Sequence, residues 1–265
     1  MIDTHCHLDA EAFRGEVDDL IRRASSEGVK AMVTIGIDPE SWMRTREIVR
    51  EHPQVVRAAG LHPTSVGDFW SGNIQRQLRD EIAYGDLVAI GETGIDLYRD
   101  ERYRDEQIES FRLHLNLSQE ANLPVIIHQR QALADVLACL DATPPNGGVL
   151  HCFSGDSRDA ENCLHRGLHL GIGGIVTFPS ATDLQEAVVE APLHRILLET
   201  DSPYLAPQPW RGKRNEPAYV SAVAAKIAEL KKIPVEDVVQ QTSKNAVRLF
   251  GPALAEASRG NGRDV

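Results

Sequence analysis

Eight short apolar runs, each followed by a longer stretch with helical periodicity, occupy most of this 265-residue chain. The runs are, in order, MIDTHCH, AMVTIG, VVRAAGLHP, LVAIGETGID, PVIIH, GVLHCF, LHLGIGG and RILLETD. Apolar residues recur at helical spacing in 17–24, 40–49, 74–83, 103–121, 132–140, 160–164 and 184–189. Strands that alternate with helices are typical of a parallel sheet. Eight such units predict an α/β fold, a closed (β/α)8 TIM barrel rather than an open sheet.

The rest of the chain is predicted to extend this barrel and not to form a second domain. Two further helices are predicted after the eighth run, over 218–230 and 235–249, and residues from about 252 to 265 are predicted to be a flexible tail. We therefore expect one domain over residues 1–265. No basic-then-apolar leader and no run of about 18 apolar residues is present, so we expect a cytoplasmic protein without a membrane partner.

The charge balance limits the ways in which this chain could meet nucleic acid. Its 28 Lys and Arg against 39 Asp and Glu give a formal net charge of −11. A protein that coats nucleic acid through bulk charge is usually basic, so that class is excluded. Bound metal ions could still reverse the local field at a site that acts on a phosphodiester.

Ionisable residues stand near the ends of six of the eight predicted strands. In a barrel of this type these ends share one face, where the active sites of the fold are found. The residues are His5, His7, His62, Glu92, His128, His151 and Asp201.

Imidazoles and carboxylates in this number are enough to hold two divalent ions, with water completing each shell. His5 and His7 are two residues apart, so both rings point to the same side of a strand. Cys6 and Cys152 alternate with histidines, and we expect both to be packing residues rather than ligands. The residue types do not decide between Mg²⁺, Mn²⁺ and Zn²⁺.

The chain resembles the TatD family of metal-dependent deoxyribonucleases, within the amidohydrolase-like barrels. The motifs that carry the resemblance lie in family order between Asp3 and Phe250. They are DTHCHLD, GLHP, GETGIDLY, PVIIHQR, HCFSG, LLETDSPYLAP, RGKRNEP and NAVRLF. The resemblance implies a metal-dependent hydrolase that cleaves DNA, as a 3′–5′ exonuclease acting on single strands or frayed ends.

The resemblance also implies a role for each ligand. His5, His7 and Asp201 would hold a first ion, and His128 and His151 a second. Glu92 would bridge the two ions, at a position where many other barrels of the superfamily carry a carbamylated lysine. Asp201 is the candidate general base, although a role as a ligand without proton transfer stays open.

Further residues are predicted to contact the substrate. His62, between Leu61 and Pro63, is predicted to contact a phosphate at the rim of the metal site and not to be a ligand. The basic residues Arg130, Arg211, Lys213 and Arg214 are candidates for the same task, because guanidinium groups suit phosphate oxygens. Trp210 could stack on a base.

Three other functions stay open at this point. The same metal centre could serve a D-aminoacyl-tRNA deacylase or a small-molecule amidohydrolase, and a non-catalytic metal-binding protein is the third possibility. The sequence indicates no obligate protein partner.

Overall fold

The computed structural model describes residues 1–99 and 101–259 and confirms the (β/α)8 barrel. Neighbouring strands pair in parallel in chain order, and β1 and β8 meet to close the barrel, where Thr4 Oγ1 donates to Leu198 O at 2.9 Å. The strands are β1 Ile2–Cys6, β2 Ala31–Gly36, β3 Val55–Ala59, β4 Leu87–Asp96, β5 Val125–Arg130, β6 Gly148–Leu150, β7 Leu168–Ile172 and β8 Ile196–Leu198.

Helices alternate with these strands, and every predicted helical stretch is confirmed. Asp38 illustrates why they begin where they do: its side chain accepts from Ser41 N at 2.8 Å, and Pro39 occupies the first turn. The helices are α1 Val17–Ser26, α2 Pro39–Glu51, α3 Val66–Phe69, α4 Gly72–Ala83, α5 Arg104–Ala121, α6 Leu133–Ala142, α7 Ser157–His165, α8 Thr182–Glu190, α9 Val220–Lys231, α10 Val235–Phe250 and α11 Pro252–Arg259.

Several polar residues that were predicted to end strands lie elsewhere. His62 is three residues past β3, and His151 and Asp201 follow β6 and β8. Glu92 lies in the middle of β4, because β4 continues to pair with β5 as far as Asp96. The strand ends still face one way, so these differences leave the polar residues at one mouth of the barrel.

The predicted flexible tail is wrong for residues 252–259, which form α11. Leu254 is fully buried and Ala257 is nearly so. Both belong to a buried cluster that includes Ile2 and Val88, near the starts of β1 and β4. This helix therefore helps to close the end of the barrel opposite the polar mouth, while residues 260–265 lie outside the described part of the chain.

Cys6 packs in the core, as its place opposite His5 and His7 predicts. It is fully buried, and its thiol donates to Val33 O at 3.4 Å. Among the described residues, no helix is long and apolar enough to cross a bilayer.

Candidate metal centre

The six predicted ligands converge at the carboxyl end of the barrel. The side chains of His5, Glu92 and His151 are almost completely buried, and those of His7, His128 and Asp201 retain between 10 and 17% exposure. Their ligand atoms fall into overlapping groups in which all atoms lie within 4.8 Å of one another. The groups with only predicted ligands are His5, Glu92 and His151, and His5, His7 and Asp201.

The end of β1 presents the first two predicted ligands side by side. The Nε2 atoms of His5 and His7 are 3.3 Å apart. That spacing suits two imidazoles that share an ion at about 2.0–2.1 Å from each nitrogen. The i, i+2 alternation of a strand therefore produces the pair that the sequence predicted.

The seam between β1 and β8 brings Asp201 to this pair. Asp201 N donates to His5 O at 2.9 Å, and Asp201 adopts a left-handed φ of 57°. Buried Asp3 accepts from Thr200 N at 3.0 Å and so fixes the preceding residue. As a result Asp201 Oδ1 lies 3.4 Å from His7 Nε2 and 3.8 Å from His5 Nε2.

Glu92 places one oxygen on each side of the cluster. Its Oε2 lies 3.2 Å from His5 Nε2 and 3.9 Å from His7 Nε2. Its Oε1 lies 2.9 Å from His128 Nδ1 and 3.6 Å from His151 Nε2. A carboxylate divided in this way has the arrangement that a bridging ligand requires.

His62 also joins the cluster, with Nε2 3.4 Å from Glu92 Oε1 and 3.3 Å from His128 Nδ1. Its Nδ1 accepts from Thr64 N at 3.1 Å, so in the neutral ring the proton resides on Nε2. Burial lowers the pKa of His62, which favours that neutral ring. An Nε2–H group can donate to a phosphate oxygen, as predicted. His62, Glu92 and His128 also form a group whose ligand atoms lie within 4.8 Å of one another, so the phosphate contact stays a prediction.

The position of His62 is set by its neighbours in the loop after β3. Leu61 N donates to Nε2 of fully buried His114 at 2.9 Å. Gly60 packs directly on β4, and a Cβ there would lie 2.7 Å from the Gly91 Cα. Only glycine allows this close approach of the β3 loop to Glu92.

Two carboxylates that the sequence interpretation missed lie beside histidines that are predicted ligands. Asp96 Oδ2 lies 3.1 Å from His128 Nε2, and Glu199 Oε1 lies 3.0 Å from His151 Nδ1. Carboxylates behind metal-bound histidines fix the tautomer and orientation of the ring. Asp96 is four residues after Glu92 on β4, so strand alternation could have identified it, whereas Glu199 follows β8 and carried no such signal.

Glu199 is tightly packed between neighbouring segments of the barrel. It is 1% exposed, and its Oε1 also accepts from Cys152 N at 2.6 Å. A side chain at Gly171 would collide with its carboxylate. Cys152 lines the cleft, within ligand range of His151 and Asp201, and is only partly buried, so it does not pack in the core as Cys6 does. That Cys152 is not a ligand stays a prediction.

The electrostatics of the cluster follow from this concentration of opposite charges. Burial alone would raise the pKa of Glu92, but His151, His62 and His5 outweigh it and hold that pKa well below its usual range. Burial likewise opposes ionisation of Asp201, and His151 and His7 lower its pKa overall. Both carboxylates are therefore ionised at neutral pH.

These buried carboxylates fit a cationic group. Burial would lower the pKa of His151, yet Glu199, Glu92 and Asp201 raise it to about 10. The site thus retains positive charge on an imidazole to balance its anions, and a divalent ion can supply the same charge. Imidazole and carboxylate donors are the types that Zn²⁺ and Mn²⁺ accept.

A cleft of about 1500 Å³ opens from this cluster to the surface. Of the residues predicted to bind substrate, His62 and Arg130 line it, whereas Arg211, Lys213 and Arg214 are absent from its described lining. The Arg130 guanidinium lies 3.7 Å from the centre of the Tyr98 ring. Arg130 is exposed and lines the cleft, and a phosphate contact by its guanidinium stays a prediction.

Two of the basic residues in the loop after β8 contact protein groups outside the cleft. Arg214 pairs with Glu16 at 2.7 Å, and the Arg211 guanidinium lies 4.4 Å from the centre of the Phe178 ring. Lys213 is exposed. Phosphate binding by this loop stays a prediction, which requires Arg214 to leave or share its contact with Glu16.

Known proteins with similar sequences and structures support this interpretation. The family described as TatD related DNase matches residues 2–251. The metal-dependent hydrolase YabD of Bacillus subtilis is 40% identical over 252 residues, which cover 94% of this chain and 98% of YabD. The metal-dependent hydrolase YcfH of Escherichia coli is 41% identical over 255 residues, with 94% and 95% covered.

Solved structures agree with the sequence comparisons. YjjV, a TatD homologue from Escherichia coli, superposes with a TM-score of 0.90 at 30% identity, over 94% of this chain and 97% of YjjV. A TatD family hydrolase from Entamoeba histolytica shares the fold, with a TM-score of 0.85 at 21% identity over 94% and 97% of the two chains. Together with the buried His, Glu and Asp cluster, these matches show that the chain belongs to the TatD family of metal-dependent hydrolases.

Proposed function

We propose that this chain is a 3′–5′ exodeoxyribonuclease that uses two divalent ions to hydrolyse the phosphodiester bonds of single strands or frayed ends. The observation that carries the proposal is the division of Glu92, whose two oxygens face two groups of histidines. The family description, TatD related DNase, supports DNA as the substrate. The predicted cytoplasmic location belongs to the same proposal.

The ligands would divide between the two ions as the sequence resemblance implies. His5, His7 and Asp201 would hold one ion, His128 and His151 the other, and Glu92 would contact both. Two bound ions would supply charge neutralisation at the phosphate and an acidified water. Asp96 and Glu199 would keep the imidazoles behind them in fixed orientation.

The protein groups around the ions have separate tasks. Asp201, ionised at neutral pH, can accept a proton from the attacking water, and its Oδ1 is close to both His7 and His151. The His62 Nε2–H can donate to a non-bridging phosphate oxygen. Arg130 can bind the same or the next phosphate from the open side of the cleft.

The test uses metal-stripped protein, with Mg²⁺, Mn²⁺ or Zn²⁺ added back one at a time. A single-stranded oligonucleotide labelled at its 5′ end should shorten stepwise from the 3′ end, and only with metal present. A phosphorothioate at the last 3′ linkage should slow the reaction, whereas one at the 5′ end should not.

The alternative substrates are assayed in the same preparations. Elemental analysis should first show that the protein holds metal. If this protein then leaves DNA uncut but hydrolyses D-aminoacyl-tRNA or a small amide, the proposal is refuted. Metal-loaded protein that is inactive on all three substrates would indicate the non-catalytic alternative.

A further inference from the structure

An exposed tyrosine stands beside the candidate metal centre. Tyr204 is 58% exposed and lines the cleft, and its ring centre lies 5.9 Å from that of His7 in an edge-to-face arrangement. Its neighbour Leu205 is 39% exposed and lines the same cleft. Two adjacent large side chains exposed in a cleft beside a candidate metal centre form an apolar surface, and a ligand that covers this surface gains the free energy of burying it.

The backbone that carries Tyr204 is firmly held. Tyr204 N donates to Asp201 O at 2.8 Å, which closes a tight turn after the ligand. Fully buried Asn215 donates from Nδ2 to Tyr204 O at 2.6 Å and to Thr200 O at 2.8 Å. The backbone of Tyr204 is therefore fixed beside the cluster, and only the side-chain torsions remain to be ordered when a ligand arrives.

Other aromatic rings near the strand ends already have partners on their faces. The Tyr98 ring is covered by the Arg130 guanidinium. Trp210, predicted to stack on a base, stacks instead on Tyr219 with ring centres 4.0 Å apart and an interplanar angle of 4°. The contact of Tyr204 with His7 is T-shaped, at 68°, rather than stacked, and Tyr204 remains 58% exposed in the cleft.

We propose that Tyr204 is the stacking surface for the unpaired base of one of the two nucleotides that flank the scissile phosphate. The proposal rests on the proposed nuclease function. A base within a duplex has both faces covered by its neighbours, so a stacking site of this kind selects single strands and frayed ends. It also lets the acidic chain hold a nucleotide at the metals without a dense basic surface.

The test couples removal of the ring to removal of the base. Tyr204→Ala is compared with the wild type on three single-stranded oligonucleotides: one unmodified, one abasic at the 3′-terminal position and one abasic at the penultimate position. Stacking contributes enough that kcat/KM on the unmodified strand should fall about 5- to 150-fold. On one of the two abasic strands the two proteins should differ by less than about twofold, because the partner of the ring is gone.

Two further variants separate stacking from other effects. Tyr204→Phe keeps the ring and should recover most of the lost rate, whereas a role of the hydroxyl predicts no recovery. Tyr84, 56% exposed and located before β4 at the other end of the barrel, is the matched control, and Tyr84→Ala should behave like the wild type on all three strands. Elemental analysis should give equal metal content in all four proteins.

The outcomes distinguish the stacking proposal from the proposed nuclease function. If Tyr204→Ala loses the same factor on all three strands, or loses nothing on the unmodified strand, base stacking is refuted while the nuclease function stands. If the wild type leaves the unmodified strand uncut, the nuclease function fails and the stacking proposal falls with it.

Discussion

Acidification is expected to destabilise this protein through a buried histidine behind the metal centre. His114 on α5 is fully buried, and its Nε2 accepts from Leu61 N at 2.9 Å. Its Nδ1–H donates to Ser110 O at 2.7 Å. Burial lowers the pKa of His114 to about 4, so the folded protein keeps this ring neutral where the unfolded chain protonates it.

The sign and size of the effect follow from linkage between protonation and folding. Above the unfolded pKa of 6.5 the ring is neutral in both states and costs nothing. As the pH falls from 6.5 towards about 4, the unfolded state binds the extra proton and stability is lost. At about 1.36 kcal/mol per pH unit, the loss from His114 reaches about 2 kcal/mol by pH 5.

A variant isolates this residue from the other titrating groups. His114→Gln keeps one donor and one acceptor but cannot titrate. We expect it to be about 1–3 kcal/mol less stable than the wild type at pH 7, because its hydrogen bonds are less well placed. That difference should shrink by about 2 kcal/mol at pH 5, since only the wild type pays for a neutral His114.

Urea unfolding followed by circular dichroism, with metal removed by a chelator, measures both free energies. His169, whose pKa burial also lowers to about 4, is present in both proteins and cancels in the comparison. If the two proteins differ in free energy of unfolding by the same amount at pH 7 and pH 5, His114 is not the source of the acid destabilisation.

Three further variants test the site itself. Glu92→Ala should lower hydrolysis by more than the roughly 10- to 100-fold that loss of an outer carboxylate costs, and activity within tenfold of wild type with an unchanged circular dichroism spectrum would contradict bridging. Glu199→Gln should weaken metal affinity by roughly 10- to 100-fold through His151, as a chelator competition assay would show. Replacing Arg211 and Arg214 by Ala should raise KM for DNA and flatten its salt dependence by about one counterion per lost contact; unchanged values in a salt titration would make the loop purely structural.

The barrel and six candidate ligands could be predicted from the sequence alone, because both are encoded locally. Each strand appears as a short apolar run, and each run is followed by a stretch in which apolar residues recur at helical spacing. Eight units could therefore be counted without a structure. The same local alternation put His5 and His7 on one side of β1. The family resemblance added the division of ligands between ions, which geometry supports through Glu92.

Contacts between side chains on opposite parts of the barrel could not be predicted from local pattern. Arg214 and Glu16 are 198 residues apart, and the pairing that draws Arg214 away from the cleft depends on how β8 closes against β1. Glu199 meets His151 only because Gly171 on the strand between them leaves room for its carboxylate.

The last helix shows the same dependence on contacts between distant segments. Residues 252–259 contain only one large apolar residue and were predicted to be a tail, but that residue, Leu254, packs in the buried cluster near the starts of the strands. A helix of this length gains most of its stability from tertiary packing and not from its own propensity. Local pattern therefore predicts the strands and the candidate metal ligands. Contacts between distant segments, and the tautomers and ion pairs that depend on those contacts, form only when the barrel has closed.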